Sequence, residues 1–253
     1  MNAHAVVVEQ PLKLQLRELA LVEPTENDLV VDICWSGIST GTEKLLWSGR
    51  MPTFPGMGYP LVPGYESVGR VAQAGKSTNY ENGELVFVPG AACFGEVKGL
   101  FGGAASRVVI PALRAIRVSE ALGEKGTLLA LAATAYHAHV AAGSNKPELI
   151  VGHGVLGRMI ARLTVLAGGK PVVWETNPDR RTGAMGYELI DPKDDTRSNY
   201  RCICDVSGDP SILDSLIARG AANCDIVLAG FYDQPDRKST RLNSSHVSES
   251  RMP

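Results

Sequence analysis

Hydrophobic and polar positions change rhythm about half way along the chain. Up to residue 119 the apolar residues come in short runs broken by Gly and Pro. Examples are residues 1–8, Leu29-Val30-Val31-Asp32-Ile33, Ser67-Val68-Gly69-Arg70-Val71, Leu85-Val86-Phe87-Val88 and Arg107-Val108-Val109-Ile110. Short strands between turn signals predict a β-barrel-like unit. From residue 120 the texture is different. Residues 124–143 are Ala-rich and apolar, which predicts a long helix. A strand at 149–151, a helix at 155–167, and strands at 171–174 and 202–206 follow. A helix near 211–218 and a strand at 226–229 complete the series. Strands alternating with helices predict a doubly wound parallel sheet, so the fold class is α/β. The domains read as 1–119 and 120–236. Residues 237–253 are polar, rich in Ser and Arg, and without an apolar period. They are expected to be a disordered, non-native tail, with the parallel sheet truncated before its last strand.

Composition narrows the function classes. Of 253 residues, 44% are hydrophobic and 21% charged, and the formal net charge is −2. No basic stripe appears, which argues against a nucleic-acid partner. No apolar run reaches the roughly 18 residues a membrane span needs. The start of the chain reads as a first strand and not as a signal peptide, so a cytoplasmic location is expected. The cysteines are Cys34, Cys93, Cys202, Cys204 and Cys224. An odd, scattered set points to reduced thiols. Cys202 and Cys204 share one face of a strand, where two small buried residues are the favoured reading over a metal pair.

The most informative motif is Gly152-His153-Gly154-Val155-Leu156-Gly157, between the apolar run 149–151 and a helical stretch. Strand, G-x-G-x-x-G, helix is the pattern of a dinucleotide site. Gly152 permits the tight turn and Gly154 lets the backbone approach a diphosphate. Gly157 allows close packing of helix on strand. The amides of Val155, Leu156 and Gly157 open the helix toward the phosphates. Glu175 ends the next strand, 23 positions after Gly152, near the spacing of about 20 expected for the ribose-binding acid. Its charge opposes a 2′-phosphate, so the expected cofactor is NAD. Arg180 and Arg181 nearby would soften that preference.

Three segments of the first half complete the picture: residues 36–44 (SGISTGTEK), 62–69 (VPGYESVG) and 82–88 (NGELVFV). With the nucleotide motif behind them they resemble the medium-chain dehydrogenase/reductase superfamily. The resemblance covers residues 1 to about 236. It implies a GroES-like β-barrel domain followed by a Rossmann domain, with substrate between them and, in many members, a homodimer. Zinc-dependent members carry Cys where this chain has Ser39, His where it has Tyr65, and a third ligand near Ala130. Serine, tyrosine and alanine do not make a zinc site, so no metal is expected. His137 and His139, two apart on a helix, do not share a face. Longer stretches, residues 37–49, 54–66, 99–105 and 173–178, are similar to a branch of the superfamily that acts on tetrapyrroles. That resemblance implies NAD-dependent oxidation of a 3-(1-hydroxyethyl) group on a chlorin or bacteriochlorin to 3-acetyl.

The residues are compatible with such a ligand. Trp47, Met51, Phe54, Met57, Tyr59, Phe94 and Phe101 lie on Gly- and Pro-rich loops. They are expected to cover a large flat apolar molecule, with Arg50 or Lys98 pairing a propionate. Without zinc, another group must take the hydroxyl proton. The candidates are Ser39 or Thr40 as a relay, Tyr65 as donor and acceptor, Lys44 as a nearby cation and Glu66 as an orienting group. Two other readings stand beside this one. A zinc-free quinone or enoyl reductase usually takes NADPH, which Glu175 argues against. A nucleotide-binding fragment without catalysis is the other.

Overall fold

The computed structural model describes residues 1–99, 101–143 and 145–230. The expected tail at 237–253 lies outside the described residues. The described residues fall into two units that divide between Ala130 and Leu131, a later boundary than the change of rhythm at 119/120.

The first unit holds strands β1 (Asn2–Gln10), β2 (Lys13–Ala20), β3 (Asp28–Ser36), β4 (Ser67–Ala74), β5 (Leu85–Val88), β6 (Arg107–Pro111) and β7 (Ile116–Arg117), with helix α1 (Thr42–Ser48). β1 and β2 form an antiparallel hairpin, and the rest form a five-stranded antiparallel sheet in the order β6-β3-β4-β5-β7. Period-two alternation in β1 explains its place. Ala3, Ala5 and Val7 enter the main core with Leu29, Val31, Val86, Val108 and Ile110. His4, Val6 and Val8 point to the opposite face. Register places Leu16 opposite Val6 and Leu14 opposite Val8, so all four share that face. β3 shifts register between Ile33 and Trp35. Such a bulge re-aims side chains, and Ile33, Cys34, Trp35 and Ser36 come to line one cavity.

Segment 36–44 holds an element its composition conceals. α1 starts inside it, buries Thr42, Leu45 and Leu46 at helical spacing, and ends at Gly49 with φ +71°.

The second unit holds α2 (Leu129–Ala141, its first two residues counted with the first unit), β8 (Leu149–Val151), α3 (Val155–Leu166), β9 (Val172–Trp174), β10 (Glu188–Ile190), β11 (Tyr200–Asp205), α4 (Leu213–Arg219) and β12 (Gly220–Leu228). The long helix expected from 124 starts only at Leu129. A 3₁₀ segment, Glu120–Leu128, precedes it and is broken at Gly123, whose φ is +48°. The five strands are parallel, in the order β10-β9-β8-β11-β12. Numbered along the unit this is 3-2-1-4-5, the order of a Rossmann sheet. One face packs Ile150, Val173, Cys202, Cys204 and Val227 against Ala135 and Ala138 of α2 and Ile160 and Ala161 of α3. The other packs Leu149, Val151, Trp174, Tyr200, Ile203 and Leu216. Cys202 and Cys204 do share a face and act as small apolar residues. Burial first, then neighbouring thiol and carboxyl groups, pushes both thiols up to about 12.

Gly69 tests the barrel packing. A Cβ there would overlap the Asp32 carbonyl oxygen and stand 2.8 Å from Val31 Cγ1. Gly69→Ala is expected to cost about 1–3 kcal/mol, read as a lower denaturation midpoint with an unchanged slope in a urea titration.

Candidate active site

The strand-to-helix junction of the second unit has the geometry its glycines announce. The turn leaves β8 with Gly152 at φ +104°. At Gly157 a Cβ would overlap the Gly152 carbonyl oxygen, so only glycine permits this approach of α3 to the turn. At Gly154 a Cβ would meet nothing within 4 Å, leaving open space above the backbone. No side chain caps α3. The amides of Val155, Leu156 and Gly157 therefore stand at a helix N-terminus beside a site with room for a diphosphate. The junction lies beside β11, where strand order reverses and doubly wound sheets bind ligands.

Glu175 ends β9 and is 7% exposed. Its Oε2 accepts from the His153 amide at 3.1 Å and its Oε1 from the Asn177 amide at 2.8 Å. Each oxygen keeps a further lone pair for a ribose hydroxyl. His153 is fully buried, and burial first of all holds its pKa below the ordinary value. Neutral, its Nδ1–H donates to the Arg180 carbonyl and its Nε2 accepts from the Tyr187 hydroxyl, both at 2.7 Å. Arg158 adds bonds to the carbonyls of His153, Arg180 and Thr182. Residues 180–187 are thus fastened to the glycine turn. Arg181 pairs with Asp191 at 3.3 Å.

In the first unit a second group of residues comes together. Ser39 precedes α1, Thr42 and Glu43 lie on its first turn, and Tyr65 and Glu66 lead into β4. The Thr42 and Tyr65 hydroxyls are 3.1 Å apart, and Ser39 also bonds Tyr65. The Tyr65 ring stacks at 5.0 Å, tilted, on Phe101. Burial raises the Tyr65 pKa, the Ser39 and Thr42 bonds oppose this, and Glu43 and Glu66 add to it. Glu66 is 4% exposed; burial raises its pKa, with the Tyr65 bond opposing. The pKa of Glu43 is pushed up to about 7, by burial first and then by the charge of Glu66, while the backbone amides of Glu43 and Ser39 act in the other direction. Glu43 Oε2 and Glu66 Oε1 are buried without a hydrogen-bond partner among the described residues. Of the residues named from sequence, Ser39, Tyr65 and Glu66 belong to this group, whereas Thr40 and Lys44 are exposed. Thr42 and Glu43 carried no such signal: Glu43 sits in a polar stretch that reads as surface.

Beside this group lies a cavity of about 560 Å³. Its apolar walls come from Val6, Val8, Leu14 and Leu16 of the hairpin, from Trp35 and Ile38, and from Leu46 and Trp47 of α1. Glu43 is the one carboxylate among its lining residues. The expected loop aromatics are placed differently. Trp47 lines the cavity, but Met51 is buried, and Phe54, Met57, Tyr59 and Phe101 pack with Leu45, Leu46 and Leu61. Phe94 joins the barrel core. These side chains satisfy one another, so they do not present a free surface. Neither Arg50 nor Lys98 lines the cavity.

The donor set does not fit zinc. Where a thiolate and an imidazole would stand are the hydroxyls of Ser39 and Tyr65, already bonded to each other. No group of three His, Cys, Asp or Glu suited to a metal occurs among the described residues. His137 is exposed on α2.

Residues 25–120 match the alcohol dehydrogenase GroES-like domain. A relative from Rhodobacter capsulatus, 2-desacetyl-2-hydroxyethyl bacteriochlorophyllide A dehydrogenase, is 54% identical over 93% of this chain and 76% of its own. One of the same name from Cereibacter sphaeroides is 55% identical over the same shares. The chain belongs to the bacteriochlorophyllide dehydrogenase family. Its fold is shared beyond that family, within the medium-chain dehydrogenase/reductase superfamily. A zinc-binding dehydrogenase structure from Sinorhizobium meliloti, bound to NADP, is 20% identical with a TM-score of 0.78, over 94% of this chain and 79% of that one. No helix among the described residues is long and apolar enough to cross a membrane.

Two glycines separate folding from binding. Gly154→Ala is expected to keep the parent's melting temperature, since its Cβ meets open space, while weakening dinucleotide binding tenfold or more, by roughly 1.4 kcal/mol. Gly157→Ala is expected to lower both. Thermal melts and titration with NADH fluorescence check this.

Glu43 makes stability depend on pH. It titrates near 4.5 unfolded and near 7 folded. Between these values the folded chain holds a proton that the unfolded chain has released, so stability falls as pH rises through this window. The loss is at most about 3 kcal/mol. Glu43→Gln is expected to flatten that fall, and its advantage in melting temperature over the parent should be largest at pH 8. An equal advantage at pH 4 and pH 8 would sink the assignment.

Proposed function

We propose that this chain oxidises the hydroxyethyl group of a bacteriochlorophyllide to an acetyl group, with NAD as oxidant. The identity of 54–55% to relatives named for that substrate, over 93% of the chain, carries the reading. The cavity supports it. A volume of about 560 Å³ falls in the range of small-molecule sites, and two indoles and at least six aliphatic side chains suit the broad apolar face of a macrocycle.

The dinucleotide fits the turn after β8. The amides of Val155, Leu156 and Gly157 would hold its diphosphate, and Glu175 would accept from its ribose. Bound, the nicotinamide supplies the acceptor for the hydrogen and electron pair lost by the carbinol carbon. Two observations favour NAD over NADP. As the ribose-binding acid, Glu175 would oppose the added negative charge of a 2′-phosphate, and Arg181 is engaged by Asp191. The protein's own part is to hold the substrate, exclude water and receive the hydroxyl proton. Ser39, Thr42 and Tyr65 form a bonded hydroxyl chain beside that cavity, with Glu66 orienting Tyr65. Thr40, which precedes α1, and Lys44 on it are exposed and stand outside this chain.

Incubation with hydroxyethyl bacteriochlorophyllide and NAD is expected to shift the pigment absorption as the acetyl group forms. The kcat/KM with NADP should be at least tenfold lower. Equal use of both cofactors would remove the NAD preference, and no shift with either would remove the activity.

A further inference from the structure

Alcohol oxidation leaves one question that the identity to relatives does not answer: which group takes the proton. Such a group must reach the substrate, be free to accept, and titrate near the working pH. The Tyr65 hydroxyl is already bonded to Thr42 and Ser39, and it does not line the cavity. Glu66 is buried and also lies outside the cavity wall. Among the cavity's lining residues the titratable groups are His4, Cys34 and Glu43. His4 and Cys34 are exposed to water. Glu43 alone joins the apolar cavity to the buried hydroxyl cluster, and its Oε2 has no hydrogen-bond partner among the described residues.

We propose that the Glu43 carboxylate is the proton acceptor of the oxidation, with Glu66 and Tyr65 as its positioning residues; this rests on the activity proposed above. As the carbinol C–H bond breaks, its hydrogen and electron pair leave to the nicotinamide ring of NAD. The O–H bond breaks with it, its electrons form the second bond of the new carbonyl, and the proton passes to Glu43. One alcohol and one NAD give one ketone, one NADH and one proton, which Glu43 later releases to water. The pieces around Glu43 explain why the proton is accepted and then released. Burial and the charge of Glu66 make the carboxylate basic for its type, and the backbone amides of Glu43 and Ser39 limit the effect. Around it stand Glu66 and Tyr65 from the β4 side, His4 and Cys34 on the cavity wall, and the exposed Lys44 on its own helix. Among the described residues no lysine or arginine lines the cavity to hold Glu43 permanently ionised.

The test uses the full chain with hydroxyethyl bacteriochlorophyllide and NAD, in single turnover across pH 5–9. Pigment affinity is read separately by quenching of tryptophan fluorescence. In the parent the rate should rise tenfold per pH unit below about 7 and then level. Glu43→Gln should lose roughly 10²-fold or more of the rate, lose that acid limb, and bind pigment within about twofold of the parent. Glu66→Gln should keep the limb but move it to lower pH, because a neighbouring negative charge is gone. This second variant also serves if Glu43→Gln fails to fold. His4→Gln should leave the limb where it is. Full rate and an unchanged limb in Glu43→Gln would overturn the proposal, as would loss of the limb in Glu66→Gln or His4→Gln. A parent that binds pigment but never oxidises it overturns the activity itself. A parent that oxidises it while Glu43→Gln keeps the limb overturns this inference alone.

Discussion

Two carboxylates near one another, Glu66 buried and Glu43 half-buried, are the constraint around which the first unit is arranged. Glu43 and Glu66 each bury an oxygen that finds no partner among the described residues. Nothing in folding alone recommends this, because a buried charge without compensation costs several kcal/mol. The surroundings show how the cost is contained. One carboxylate keeps its proton up to neutral pH, a tyrosine bonds the other, and backbone amides reach the first. Glycine at position 37 is part of the same arrangement, since a Cβ there would lie 2.9 Å from Glu66 Cβ. Strain of this kind collects where a protein does chemistry.

The second unit obeys a different constraint, the distance between a helix and a turn. Gly157 lets α3 close on the Gly152 carbonyl, and the uncapped amides that follow are the consequence. The buried His153 then ties the turn to residues 180–187. Glu175 is already held by two backbone amides. A ribose would therefore meet a carboxylate whose orientation is fixed beforehand, which lowers the entropy lost on binding.

Much of this was legible in the residues. β8 runs over Leu149–Val151 and α3 begins at Val155, as apolar runs on either side of three glycines require. The shared face of Cys202 and Cys204 followed from period two alone. The misses have physical causes. α1 is seven residues long and opens after Gly41, so local propensity gives it no signature. Glu43 reads as a surface acid because Glu66, whose charge acts on it, lies 23 positions away. The loop aromatics looked like ligand contacts because sequence does not show that they pack on one another. A one-residue bulge near Cys34 is what turned Trp35 to the cavity instead, and no composition marks it.

The hairpin of β1 and β2 carries one more consequence. Leu14 and Leu16 line the cavity yet are 53% and 70% exposed, and Trp35 and Ile38 are 38% and 78% exposed. Water covers these side chains whenever the cavity is empty. A macrocycle entering it would dehydrate them together, so association should carry a negative heat-capacity change and grow more exothermic as temperature rises. The heat of binding, followed over temperature, thus reports how much of this apolar wall the occupant covers.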